Sequence, residues 1–146
     1  MLEHLAKKIA TSDRTHFGTG VPEEVIHDAE VVLEVTFPES YRWWLVQYGA
    51  GLLRGYELQG LCPQMPSQRD AHEIIVGDIV ATTLMNRTDG LPEHLLELID
   101  YEGDEVFYLD LSQSIGGESP VVCRLPGEGG LETVASSFAD FLEQEL

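Results

Sequence analysis

The chain has little positive charge. Only 8 Lys and Arg stand against 26 Asp and Glu in 146 residues, a formal net charge of −18. A surface that holds phosphates must be cationic, so nucleic acid is not an expected partner. An anionic membrane is disfavoured for the same reason. Cysteine is also scarce: Cys62 and Cys123 are far apart and form no metal motif. They read as reduced, buried thiols of a cytoplasmic protein. Met1 to Lys8 lack the apolar stretch of an export signal. The longest apolar runs, such as Trp43 to Val46, are far too short to span a bilayer.

Catalytic signatures are missing as well. His4, His16, His27, His72 and His94 are scattered, without ligand spacing. Neither a Gly-x-Ser-x-Gly elbow nor a Gly-x-x-x-x-Gly-Lys phosphate loop occurs. Gly127, Gly129 and Gly130 mimic a phosphate loop only superficially, because Glu128 and Glu132 would repel the anion. Asp110 and Glu118 are one conceivable carboxylate pair for acid–base work. Asp110, flanked by Leu109 and Leu111, reads more simply as a strand end that accepts turn hydrogen bonds. The expectation is a non-enzyme with no catalytic set, cofactor or metal.

What is present fits one domain over residues 1–146, with no repeat and no low-complexity tract. A chain of this length buries roughly 68–70% of its unfolded surface and needs no staples. Leu2, Leu5, Ala6 and Ile9 predict a helix over 1–10. Pro22, placed in the first turn and followed by Glu23 and Glu24, predicts a second, with Val25, Ile26, Ala29, Val32 and Leu33 inward. Pro38 opens a third; Tyr41, Trp44, Leu45 and Tyr48 share its inner face, and Gly49 stops it. A fourth begins after the N-cap Asp78, with Ile79, Val80, Thr83 and Leu84 inward. Strands are expected at 56–61, around Leu96 to Ile99, at 106–111 and at 121–125, the middle two joined as a hairpin by Gly103-Asp104. A last helix is expected over about 132–144, and surface loops over 11–20 and 62–70. The fold class is α+β: a mixed, mostly antiparallel sheet flanked by helices.

Several segments in order resemble one known family. They are Glu30, Phe37-Pro38-Glu39-Ser40-Tyr41-Arg42, Leu45 and Tyr48-Gly49-Ala50-Gly51. Gly90-Leu91-Pro92, Leu95 to Ile99, Gly103-Asp104 and Tyr108-Leu109-Asp110-Leu111 follow. Pro120-Val121-Val122 and Ser137-Phe138-Ala139-Asp140-Phe141-Leu142 complete the set. Over about 22–142 the chain resembles the SUKH superfamily, the Smi/Knr homology family. The departure is Tyr48-Gly49-Ala50-Gly51, where the family often has Asn before paired glycines. The resemblance implies a Smi/Knr-like α+β fold and a binding protein. Bacterial members serve largely as immunity proteins that neutralise toxin domains, often nucleases; fungal members look like scaffolds in cell-wall signalling.

Charge is unevenly spread along the chain. Residues 1–87 hold 12 acidic and 7 basic residues; residues 88–146 hold 14 acidic residues and the single cation Arg124. Asp100, Glu102, Asp104 and Glu105 crowd the predicted hairpin turn, and Glu118 in the next loop is expected near them. Like charges held together cost stability unless something is gained. A basic partner, such as a nuclease toxin domain, is one such gain; a solvated acidic turn is the plain alternative. The cluster lacks the spacing of a calcium loop. Trp43, one position off the buried stripe, either caps the core edge or stands at an interface, where Trp is often a hot spot. Arg54, Tyr56 and Glu57 follow Gly51 on an expected loop. The candidate partner-binding set is therefore Asp100, Glu102, Asp104, Glu105, Glu118, Trp43 and Tyr56. The sequence leaves the oligomeric state open.

Overall fold

Pro22 and Pro38 each sit immediately before a helix, as N-caps in extended conformation and not as first-turn residues. The computed structural model describes residues 2–63, 77–101, 105–124 and 130–146. In order, it contains α1 (Glu3–Thr11), β1 (Thr15–Phe17), α2 (Glu23–Leu33) and α3 (Glu39–Gln47). β2 (Gly51–Leu53), β3 (Tyr56–Leu58) and α4 (Ile79–Thr88) follow. β4 (Leu95–Tyr101), β5 (Glu105–Asp110), a 3-10 turn (Leu111–Gln113), β6 (Val121–Arg124), β7 (Leu131–Ala135) and α5 (Phe138–Glu145) complete it. The class is α+β, with two antiparallel sheets ordered β1-β2-β3 and β4-β5-β6-β7. The one parallel feature among the described residues is an isolated bridge between Gly60 and Asp78.

The helices are built as their sequences dictate. The Asp78 carboxylate accepts the Ala81 N–H at 2.9 Å and caps α4. Tyr41, Trp44 and Leu45 of α3 are wholly buried, and Gly49 ends that helix region at φ 80°. Several expectations fail. The loop expected over 11–20 contains β1, a short strand with too few residues to show alternation. Leu84 of α4 is 43% exposed and lies off the buried face. The helix expected over 132–144 is a strand followed by a helix: β7 ends at Ala135. The Ser137 hydroxyl then accepts the Asp140 N–H at 3.1 Å and starts α5. Apolar residues at 131, 134 and 135 satisfy a helical stripe by coincidence, and the Ser-x-x-Asp start overrides it. The strand expected at 56–61 is β3, which ends at Leu58, so of Arg54, Tyr56 and Glu57 only Arg54 stands on a loop. Arg54 and Gly55, at φ 54° and 86°, form the two-residue turn of the β2–β3 hairpin.

A segment of three residues joins the two sheets. β4 carries a bulge between Glu97 and Ile99, so that Leu98 and Ile99 both enter the core. The bulged Leu98 carbonyl accepts the Gln59 N–H at 2.8 Å, carrying hydrogen bonding from one sheet to the other. The buried Tyr41 hydroxyl donates to the Gln59 carbonyl at 2.7 Å, and Thr82 donates to the Gln59 side chain at 2.9 Å. Gly60 N–H donates to Gly77 O, its carbonyl accepts from Ile79 N–H, and Leu61 N–H donates to Gly49 O, each at 2.8 Å. Burial raises the Tyr41 hydroxyl pKa, with Asp78 adding to it, so the donor stays protonated.

The joint between α2 and α3 rests on Glu30. Glu30 is only 8% exposed; its carboxylate accepts the Phe37 N–H at 2.7 Å and pairs with Arg42. Arg42 also pairs with Glu23 at 2.7 Å. Burial opposes the Arg42 charge, yet Glu30 and Glu23 outweigh it and raise its pKa. Around this frame Phe37, Tyr41, Trp44, Phe138 and Phe141 form a continuous aromatic core, with Tyr41 and Phe138 edge-to-face at 5.0 Å.

Gly60 tests the joining segment. A Cβ there would stand 1.9 Å from Gly49 O and 2.9 Å from Ala50 Cα, both backbone. Gly60→Ala should cost about 3 kcal/mol in urea unfolding. Gly55→Ala, with open space but positive φ, should cost about 1 kcal/mol. Equal effects at the two sites would contradict the crowding.

Candidate functional site

The hairpin of β5 and β6 ends in a tight turn whose chemistry decides where Glu118 goes. Ile115 and Glu118 exchange backbone hydrogen bonds at 2.8 and 3.1 Å across Gly116 and Gly117, at φ 60° and 83°. Only glycine takes two such angles at little cost, so the turn is of the I′ kind. It throws Glu118 against the N-terminus of α3. Ser40 donates its hydroxyl to Glu118 at 2.8 Å and its N–H at 3.2 Å. The Ser40 oxygen in turn accepts the Ala139 N–H at 3.2 Å, at the start of α5. One carboxylate thus sits where two helix N-termini converge, and both dipoles favour it.

A cleft of about 610 Å³ opens beside this carboxylate. Trp43, Gln47, Glu39 and Ser40 of α3 form one wall, Leu2, Glu3 and Ala6 the other, and Glu118 closes one end. Trp43 is half-buried, with its indole packed against Tyr48 at 5.9 Å and 80°. Glu39 lies against Gly117, where an added Cβ would approach its carboxyl carbon to 2.9 Å. The Glu39 N–H donates to Gly117 O at 2.9 Å. Among the described residues the lining contains three carboxylates and no Lys or Arg.

The sequence-selected residues therefore separate into two groups. Trp43 and Glu118 meet in the cleft. Tyr56, Asp100 and Glu105 lie at the other end of the β4–β5 ladder, where Tyr101 pairs with Glu105. Glu118 is not beside that hairpin, as was expected: the turn bearing it follows the Asp110 end of β5, roughly 17 Å along the strand from Glu105 at the usual rise per residue. Glu102 and Asp104 lie outside the described residues. Asp100 and Glu105 are both exposed. Tyr56 begins β3, where a strand was expected, and its ring meets Tyr101 edge-to-face at 4.8 Å. The Tyr101 hydroxyl donates to Glu145 at 2.9 Å, and Arg54 stands 3.8 Å from the same carboxylate. Burial, then the Glu145 carboxylate, raises the Tyr101 pKa far above its usual value.

Two further groups bear on chemistry. Asp110 accepts from Ser112 N–H and hydroxyl at 3.0 and 2.6 Å and from Gln113 at 2.7 Å. This is the strand-end role read from the sequence. Burial works against its charge, but these donors outweigh it and lower its pKa. Glu97, which the sequence did not single out, is half-buried on the outer sheet face. Burial and then Asp100 raise its pKa. Arg124 reaches the Tyr108 hydroxyl there at 3.4 Å. Cys123 is buried and free, and burial raises its pKa, whereas Cys62, expected buried, is partly exposed. Among the described residues no group of three or more His, Cys, Asp or Glu could hold a metal ion. Among them, too, no helix is long and apolar enough to cross a membrane. Glu39 and Ser40 escaped selection because both read simply as the start of a helix. The Gly116-Gly117 pair was the signal that Glu118 turns toward α3.

A family model described as SMI1-KNR4 cell-wall matches residues 23–142. The matched span covers Glu30, Arg42 and the Glu118–Ser40 contact, and excludes α1. Proteins of this kind are generally non-enzymatic binding modules.

Ser40→Ala should destabilise the fold by about 1–3 kcal/mol, since Ala139 N–H and Glu118 both lose a partner. Thermal unfolding measures this; an unchanged midpoint would contradict the junction. Asp110 gives a pH signature. Its lowered folded pKa contributes stability that is complete above the unfolded value of 3.8 and disappears as pH falls through the folded value. Asp110→Asn should therefore lose stability at neutral pH and show a shallower acid decline in urea titrations than the parent.

Proposed function

We propose a function from one premise: the chain belongs to the SMI1-KNR4 family, within the SUKH superfamily. The protein is an acidic protein-binding module, an immunity protein that binds and neutralises a toxin domain of basic surface. The observation that carries this reading is the placement of negative charge. Fourteen acidic residues and one cation fall within residues 88–146. Asp100 and Glu105 stand exposed at one end of the four-stranded sheet, and Glu118 faces a cleft at the other end of β5. A nuclease toxin needs a cationic site to hold phosphate, so an acidic inhibitor can occupy that site as a substrate mimic. Electrostatic complementarity then acts mainly on the association rate. A scaffold with endogenous partners is the second reading; the same family premise supports it, and it needs no toxin.

Capture from the native cell, followed by co-expression with any secreted protein encoded nearby, separates the two. The immunity reading predicts a basic partner whose toxicity the chain suppresses. Growth arrest that the chain does not relieve, with only housekeeping proteins captured, would contradict it. Within the complex, Asp100→Lys with Glu105→Lys should slow association about tenfold at low salt and much less at high salt. Rates indifferent to both changes would remove the hairpin end from the interface.

A further inference from the structure

We infer that the cleft beside Trp43 is an anchor pocket for an arginine side chain of the protein partner, an assignment that rests on the protein-binding reading above. A half-buried indole lines it, and Tyr48 packs against that indole and fixes its orientation. An arginine guanidinium is planar, weakly hydrated and stacks on indole faces, and its fork of N–H groups matches carboxylates. Two carboxylates are set out for such a fork. Glu118 is held by Ser40, which occupies part of its accepting capacity and leaves the rest. Glu39 is positioned by Gly117 and makes no ion pair among the described residues. Among the described residues no Lys or Arg lines the cleft. The N-termini of α3 and α5 together contribute a partial positive charge of about one unit. Two full negative charges exceed it. A lysine would satisfy the carboxylates but lacks the planar fork and the stacking face. Commitment to a basic occupant follows from the net charge of −18, which disfavours a second copy of this acidic chain.

The chain contains two tryptophans, and Trp44 is completely buried, so it serves as an internal reference. The probe is N-acetyl-arginine amide, titrated into the ¹⁵N-labelled protein at fixed ionic strength. N-acetyl-citrulline amide, its neutral isostere, and N-acetyl-lysine amide run in parallel. The Trp43 indole N–H resonance should shift saturably while that of Trp44 stays in place. Citrulline should bind at least about tenfold more weakly and lysine measurably more weakly than arginine. Glu39→Gln should weaken arginine binding while lowering the unfolding midpoint by no more than the few degrees that a first-turn helix charge is worth. Absence of a saturable Trp43 shift, or equal response to citrulline, would overturn the pocket; equal response to lysine would overturn its preference for a guanidinium. The partner reading fails separately. A captured basic partner that binds Trp43→Ala as tightly as wild type overturns the anchor and leaves protein binding intact. Selective arginine binding by a chain that captures no partner supports the pocket and counts against that reading.

Discussion

Gln59, Gly60 and Leu61 are the constraint on which the rest of the structure depends. Neither sheet is large, and a three-stranded sheet of three-residue strands would have little stability of its own. The Gln59 N–H closes the gap to the bulged Leu98, and the Gln59 carbonyl and side-chain oxygen accept hydrogen bonds from Tyr41 of α3 and Thr82 of α4. Gly60 then fixes the start of α4, and Leu61 returns to the glycine that ends α3. Gln59, Gly60 and Leu61 are themselves buried, so each of their backbone groups left without a partner would cost about 1–3 kcal/mol. Gly60 is required because the Gly49 carbonyl occupies the space of a side chain. The elements α3, α4 and β4 are in this way referred to three residues that follow β3.

The family signature takes on physical meaning within that frame. Its acidic residue, Glu30, ties the Phe37 N–H and Arg42, which sets the angle between α2 and α3. Its Gly49 permits the return of Leu61. These are framework duties. The charged groups that face outward, Glu39, Glu118, Asp100 and Glu105, stand on rigid elements or tight turns at the edges of the frame. Such a division lets a core stay constant while binding faces change, and it pre-organises the face so that little order must be gained on binding.

Legibility from sequence followed the length and closure of each interaction. Helices with local signals were readable: Asp78 capping α4, prolines before α2 and α3, and Gly49 after α3. The β4–β5 hairpin was readable from its alternation. β3 was readable too, but β1 and β2 were not, because they carry three residues each and gain their order from pairing across distance. The region from Leu131 to Gln144 was misread because its apolar spacing fits a helix. Ser137 capping Asp140 was the local evidence against that reading. For the site, residue type identified Trp43 and Glu118, but their meeting depends on a glycine turn and on Ser40. Asp100 and Glu105 kept their hairpin position, while the expected closeness of Glu118 to them confused adjacency in sequence with adjacency across a sheet.

Native-state hydrogen exchange of the backbone amides tests the central claim, that one buried segment unites both sheets and holds the outward faces in place. The amides of Gln59, Gly60 and Leu61 should exchange only through global unfolding, in one class with the slowest amides of β5 and β6. Exchange of those three amides by local opening, as fast as the exposed Arg54-Gly55 turn, would show two independently fluctuating halves and contradict the account.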